Sequence, residues 1–185
     1  MDSSLCPENV STLIVNTFQY LNDVHDFIIF HEKNSKALIN DSSNIFIRKE
    51  STSEIINMRD VLIHYISYYR AYKDSNISEC GEQFAFIVEH LQRGMKDQLI
   101  FFFQEILLLD LKKWEDLAKD AGNIDLSYEI FRLIQKVKNT ILIIRVSNAN
   151  GIKIVDKDIR NIFSDIKSDY VKVFDELKLE YDKKL

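Results

Sequence analysis

The chain has 185 residues, of which 46% are hydrophobic, and it contains only four glycines and one proline, Pro7. This length suits one well-buried core, so we expect a single domain over residues 1–185, and the scarcity of helix-breaking residues favours an all-α fold. A net charge of −5 argues against binding of nucleic acid through a broad basic surface, although a small local site remains compatible with it.

The cysteines, the N-terminal residues and the apolar runs bear on the predicted location of the protein in the cell. Cys6 and Cys80 lack the spacing of a disulfide framework, and the first ten residues lack a charged and then apolar leader. The longest apolar run, Leu99–Leu109, is too short to span a bilayer. We therefore predict an intracellular, cytoplasmic protein with reduced thiols and no membrane partner.

The first predicted helix begins near Pro7, a residue that fits the first turn of a helix. Its apolar residues recur at mostly helical intervals: Val10, Leu13, Ile14, Leu21, Val24 and Ile28. The segment Asn40–Glu50 is rich in Asn and Ser and is predicted to be a loop. Ser51, Thr52 or Ser53 is expected to cap the next helix.

The second predicted helix covers Glu54–Tyr69, and its pattern predicts two opposite faces. The predicted core-facing residues are spaced by three and four: Ile55, Met58, Leu62, Ile66 and Tyr69. The residues predicted to face away from the core are Asn57, Asp60, His64 and Ser67. Asp60 and His64 are one turn apart and can therefore contact each other.

This second helix carries the chemical groups that suggest a function. The His64 imidazole can accept or donate a proton near neutral pH, and the Arg59 guanidinium can hold a phosphoryl oxygen. Two copies of the helix packed about a two-fold axis would bring two arginines and two histidines into one cleft. Such a group could cleave RNA without a metal or other cofactor.

The segment Arg59–His64, with Asp60 directly after the arginine, resembles the motif of the HEPN family. This family comprises helical nucleases and RNA-binding domains of toxin–antitoxin, abortive-infection and CRISPR systems, and its motif is an arginine followed, after four to six residues, by a histidine. The resemblance implies that Arg59 and His64 form a catalytic pair, with Asp60 beside them. It also implies an RNA substrate and a homodimer.

The third predicted helix follows a connection that Gly81 is expected to punctuate. Its predicted inward residues are Phe84, Ile87, Leu91, Met95, Leu99 and Phe102. His90 and Arg93 lie on its polar side and are interpreted as surface residues, although this helix is where we would seek a further group for the site. The run Leu99–Leu111 is apolar almost all round, which predicts burial in the bundle or in an interface.

Two further helices complete the predicted bundle of about five. Gly122 and Asn123 are expected to end one helix, and Asp125 or Ser127 to cap the next. The predicted core residues of that helix are Leu126, Ile130, Leu133, Ile134, Val137, Ile141 and Ile144. After a possible short strand at 151–155, the last helix places inward Ile159, Ile162, Phe163, Ile166, Tyr170, Val173, Leu177 and Tyr181.

Two classes of function follow from these patterns. The first is a HEPN-like metal-independent endoribonuclease, or an RNA-binding protein with the same cleft, of a toxin or abortive-infection defence type. The second is a non-enzymatic helical module, such as a viral or bacterial modulator, that binds a helix of a partner protein in an apolar groove. The apolar run Leu99–Leu111 motivates the second hypothesis.

Overall fold

A computed structural model describes residues 6–39, 52–149 and 156–182. The described residues form six α-helices and one π-helical turn: α1 Pro7–Ile39, α2 Thr52–Lys73, α3 Ile77–Phe101, the π turn Phe102–Leu107, α4 Leu108–Asp120, α5 Ile124–Ala149 and α6 Asp156–Asp182. Because α3, the π turn and α4 are continuous, the described residues form five helical segments. The prediction of an all-α fold with about five helices is confirmed.

Asparagine side chains mark the starts of two helices. At α3, the Asn76 carboxamide accepts a hydrogen bond from the Glu79 backbone N–H at 3.3 Å and donates one to the Glu79 carboxylate at 2.9 Å. At α5, the Leu126 N–H donates to Asn123 Oδ1 at 3.0 Å, directly after Gly122 adopts a left-handed φ of 76°. The predictions that Asp125 or Ser127 caps α5 and that Gly81 ends the connection are therefore wrong, since Gly81 lies within α3.

Some predicted features fall outside the described residues. These are the loop Asn40–Glu50, a cap at Ser51 and the short strand at 151–155. In the described part of the chain, no helix is long and apolar enough to cross a membrane.

The helices contribute to two compact units, and the prediction of one domain over residues 1–185 stays a prediction. The first unit contains residues 6–23 and 52–98, so it holds the start of α1, all of α2 and most of α3. Its core consists of buried residues from these three helices: Val10, Ile14, Val61, Tyr68, Ala71, Cys80, Ile87 and Leu91.

The second unit contains residues 24–39, 99–149 and 156–182 among those described. An aromatic cluster lies in its core: the Phe27 ring contacts those of Phe102, Phe163 and Tyr170 at centroid distances of 5.2 to 5.7 Å. The predicted core residues of α5 are all buried, as are Phe163, Ile166, Tyr170, Val173 and Leu177 of α6. Clean helical periodicity therefore identified the buried sides of α5 and α6 correctly.

The π turn explains how a run that is apolar almost all round is buried. A π-helical turn contains more residues than an α-helical turn, so neighbouring residues can share its inner side. Both members of the pairs Phe102–Phe103 and Ile106–Leu107 are indeed buried. The predicted burial of the run is confirmed for six of its large side chains: Leu99, Phe102, Phe103, Ile106, Leu107 and Leu111. It is wrong for Leu109, which is 48% exposed, while Ile100, Phe101 and Leu108 are partly buried.

The predicted orientation of α2 is wrong. Leu62 and Ile66 are each 53% exposed and Tyr69 is 43% exposed, although the spacing had placed them in the core. The residues that α2 buries are instead Asn57, Val61, Tyr68 and Ala71. The helix has apolar residues on both sides, so periodicity alone could not choose between them, and packing against α1 and α3 decides the orientation.

Candidate functional site

The candidate site lies along α2 and α3 in the first unit. Asn57 and His64 are seven residues apart on α2, and Gln83, His90 and Asp97 repeat at intervals of seven on α3. A spacing of seven residues is nearly two helical turns, so each set forms a row on one face. Asn57 contacts His90 and Asp97, whereas His64 contacts Gln83, so the two helices run antiparallel and the rows face each other.

His64 is half-buried and is held by three residues of α3. Its Nδ1 lies 2.8 Å from Gln83 Oε1. Because a carbonyl oxygen can only accept, Nδ1 donates this hydrogen bond, and the second ring nitrogen, Nε2, does not take part in it. The ring also stacks against Phe86 and His90, at centroid distances of 4.9 and 5.3 Å. His64 is therefore fixed in orientation and tautomer.

His90 is held in the same way from α2. Its Nδ1 donates to Asn57 Oδ1 at 3.3 Å, and Asn57 in turn donates to Asp97 Oδ2 at 3.5 Å. The His90 side chain is 17% exposed, and its ring lies within 18° of parallel to that of His64. Both imidazoles thus place Nδ1 on an amide oxygen and leave Nε2 able to accept a proton.

Arg59 and Asp60 form an ion pair beside these rings. Asp60 Oδ1 accepts hydrogen bonds from Arg59 Nε at 2.9 Å and from Nη2 at 2.7 Å, and Asp60 Oδ2 lies 4.0 Å from His90 Nδ1. The hydrogen bonds from Arg59 hold the pKa of Asp60 below its usual value. The charge of Arg59 and the nearby imidazoles act in the same direction, whereas partial desolvation opposes them. Asp60 is therefore a carboxylate at neutral pH.

The three residues predicted from the sequence occupy one region, but their contacts differ from those expected. The orienting hydrogen bond of His64 comes from Gln83 and not from Asp60, which lies beside His90. Arg59 is largely exposed, with 64% of its side chain accessible, and three of its five N–H donors do not bond to Asp60. Those donors could contact an anion.

The contribution of α3 to the site is larger than its sequence suggested. His90 was predicted to be a surface residue but stacks on His64. The hydrogen bonds of Gln83 to His64 and of Asn57 to His90 were not predicted. We call the group of Asn57, Arg59, Asp60, His64, Gln83 and His90 the imidazole cluster. The repeat of seven from Gln83 through His90 to Asp97 was the signal that could have revealed it, because polar residues at that spacing form a continuous row.

The donor set of the cluster does not resemble a metal centre. Among the residues that the structure describes, no group of three or more histidine, cysteine, aspartate or glutamate side chains could hold a metal ion.

Comparisons of the chain with models of protein families, with curated proteins and with solved structures give no match. The resemblance to the HEPN family therefore rests on the segment Arg59–His64 alone.

Proposed function

We propose that the protein is a HEPN-like metal-independent endoribonuclease of a toxin or abortive-infection defence type, with its active site at the imidazole cluster. The observation that carries the proposal is the pair of stacked rings of His64 and His90, 5.3 Å apart, each with Nδ1 anchored on an amide oxygen. Two fixed imidazoles can supply the general base and the general acid that RNA cleavage requires.

The cleavage step assigns one role to each side chain. One imidazole takes the proton of a ribose 2′-hydroxyl through Nε2, and the oxygen attacks the adjacent phosphorus. The second imidazole, protonated, gives its proton to the leaving 5′-oxygen as the P–O bond breaks. Arg59 holds a non-bridging phosphoryl oxygen with the N–H donors that Asp60 does not use. Asp60 in turn positions Arg59 and lies beside His90.

This arrangement makes the chemistry independent of dimerisation. A second imidazole could have come from a second copy of the chain or from the third helix, and α3 brings His90 to His64 within one chain. The homodimer that the family resemblance implies stays a prediction.

The proposal is tested with the purified full chain on single-stranded RNA in the presence of EDTA. His64→Asn and His90→Asn are the informative variants, because the asparagine Nδ2 lies where imidazole Nδ1 does and can keep the hydrogen bond while removing the acid–base group. We expect each to reduce the cleavage rate by about 100-fold or more, the usual size of an acid–base contribution, at an unchanged Tm. The matched control is His25→Asn, because His25 lies on α1 outside the cluster.

The outcomes separate three functions. Cleavage that survives both variants would contradict the proposal. RNA binding without cleavage by the wild-type chain, if weakened by Arg59→Ala, would indicate the binding-only version of the same cleft. No interaction with RNA would favour the non-enzymatic helical module.

The non-enzymatic module must now rest on a different surface. Most large side chains of the apolar run Leu99–Leu111 that motivated it are buried or partly buried, and Leu109 is the one that is widely exposed, so the run presents little apolar surface to a partner. An exposed apolar face is found instead on α2, on the side away from the core of the first unit. That face is the specific observation in favour of this second candidate.

A further inference from the structure

The outward face of α2 exposes five large apolar side chains. We define the α2 face by these residues, each between 43% and 53% exposed: Ile56, Leu62, Ile63, Ile66 and Tyr69. Isolated exposed apolar residues are normal on a protein surface, but five on one side of a 22-residue helix are concentrated enough to suggest an interaction surface.

The spacing on the α2 face is that of a helix packing seam. Leu62, Ile66 and Tyr69 follow one another at intervals of four and three, the repeat that lets one helix lie lengthwise against another. Ile63 broadens the seam on one side. An extended partner would contact alternate residues of a strand, whereas this repeat suits the apolar side of an amphipathic helix.

Cations outnumber anions beside the α2 face, with Arg59, Arg70 and Lys73 against Asp60 and Asp74. The side of α2 that carries the apolar residues also carries Arg59, Arg70 and Lys73. The Lys73 ammonium lies 4.9 Å from the centre of the Tyr69 ring. Asp60, which binds Arg59, lies towards α3 beside His90. A basic border within a chain of net charge −5 is complementary to acidic residues in a partner.

We infer that the α2 face binds an amphipathic helix of a different protein, with apolar residues at intervals of three and four and acidic residues on its flanks. A second copy of this chain fits less well. Antiparallel pairing centred on Ile66 would place Arg59 opposite Lys73 of the other copy, and parallel pairing would place each cation beside its equivalent. RNA also fits less well, since four of the five residues are aliphatic and cannot stack on bases as aromatic rings do.

The test uses two designed helical peptides and the full chain. Both peptides carry leucines at intervals of three and four, but one has glutamates on its flanks and the other has lysines at the same positions. Fluorescence anisotropy measures their binding. We expect the glutamate peptide to bind at least about tenfold more tightly than the lysine peptide, and this preference to shrink as salt screens the charges.

Variants of the chain locate the binding surface. Ile66→Asp should weaken binding of the glutamate peptide at least about tenfold, and the double change Arg70→Glu with Lys73→Glu should remove the preference for glutamate. The matched control is Leu179→Asp, because Leu179 is 61% exposed on α6, in the second unit. It should bind as the wild-type chain does, and the Tm of every variant is measured to verify folding.

Three results would overturn the inference. Equal binding of the two peptides, or absence of binding, would show that the face does not select an acidic helix. Self-association of the wild-type chain that Ile66→Asp abolishes would assign the face to a second copy. RNA binding that depends on Arg70 and Lys73 but not on Ile66 would assign the basic border to nucleic acid. None of these variants changes His64 or His90, so the test is independent of the proposed ribonuclease activity.

Discussion

Tyr68 and Tyr69 provide a sharp test of how α2 is oriented, because they are adjacent residues of the same type in opposite environments. Tyr68 is fully buried, with ring centroids 6.2 Å from Tyr65 and 6.4 Å from Tyr72. Tyr69 is 43% exposed and contacts Lys73. The apolar spacing of the sequence instead places Tyr69 in the core.

We expect Tyr68→Ala to lower the free energy of unfolding by about 3 to 4 kcal/mol. Removal of a fully buried aromatic side chain loses its transfer free energy and leaves a cavity. Tyr69→Ala should cost about 1 kcal/mol or less, because the ring is already in contact with water and its cation–π contact is worth about 0.5 kcal/mol. For a chain of this length, the Tm should fall by about 6 to 16 °C for Tyr68→Ala and by about 4 °C or less for Tyr69→Ala.

Urea denaturation followed by far-UV circular dichroism measures both changes. If Tyr68→Ala does not fold, Tyr68→Leu provides a milder version that keeps an apolar side chain in the site. A larger loss for Tyr69→Ala than for the Tyr68 variants would refute the orientation of α2. It would also remove the basis for the imidazole cluster and for the α2 face, because both depend on that orientation.

Two further changes test the backbone and the pH dependence of stability. Gly81→Ala should raise the free energy of unfolding by up to about 1 kcal/mol, because Gly81 lies inside α3 and a Cβ there would meet no neighbouring atoms. Gly122→Ala should lower it, because Gly122 has a φ of 76° that alanine rarely adopts. Thermal melts in which the Tm of both variants shifts in the same direction would contradict this. Burial raises the pKa of Tyr68 to about 12, above its unfolded value of about 10, so its contribution is present below pH 10 and is lost as the pH rises to 12. Between pH 10 and 12, the free energy of unfolding from denaturation curves should therefore fall less for Tyr68→Phe than for the wild-type chain. Tyr69→Phe serves as the control and should follow the wild-type chain.

The candidate site was only partly predictable from the sequence. Arg59, Asp60 and His64 attracted attention because their residue types suit phosphodiester chemistry, and the structure brings them into one region with His90. The supporting contacts come from α3, more than twenty residues away from Arg59 along the chain. The local sequence pattern does not specify the register in which α2 and α3 pack. The pairs His64–Gln83 and His90–Asn57 therefore could not be predicted.

The rarity of helix breakers was enough to predict a helical chain. The buried sides of α5 and α6 were also predictable, because an apolar stripe with regular helical spacing runs along each helix. The orientation of α2 became clear only from its packing in the fold, because this helix carries apolar residues on both sides. Burial of Tyr68 rather than Tyr69 depends on which side fits against α1 and α3. That choice turns His64 towards His90 and leaves Ile66 in contact with water.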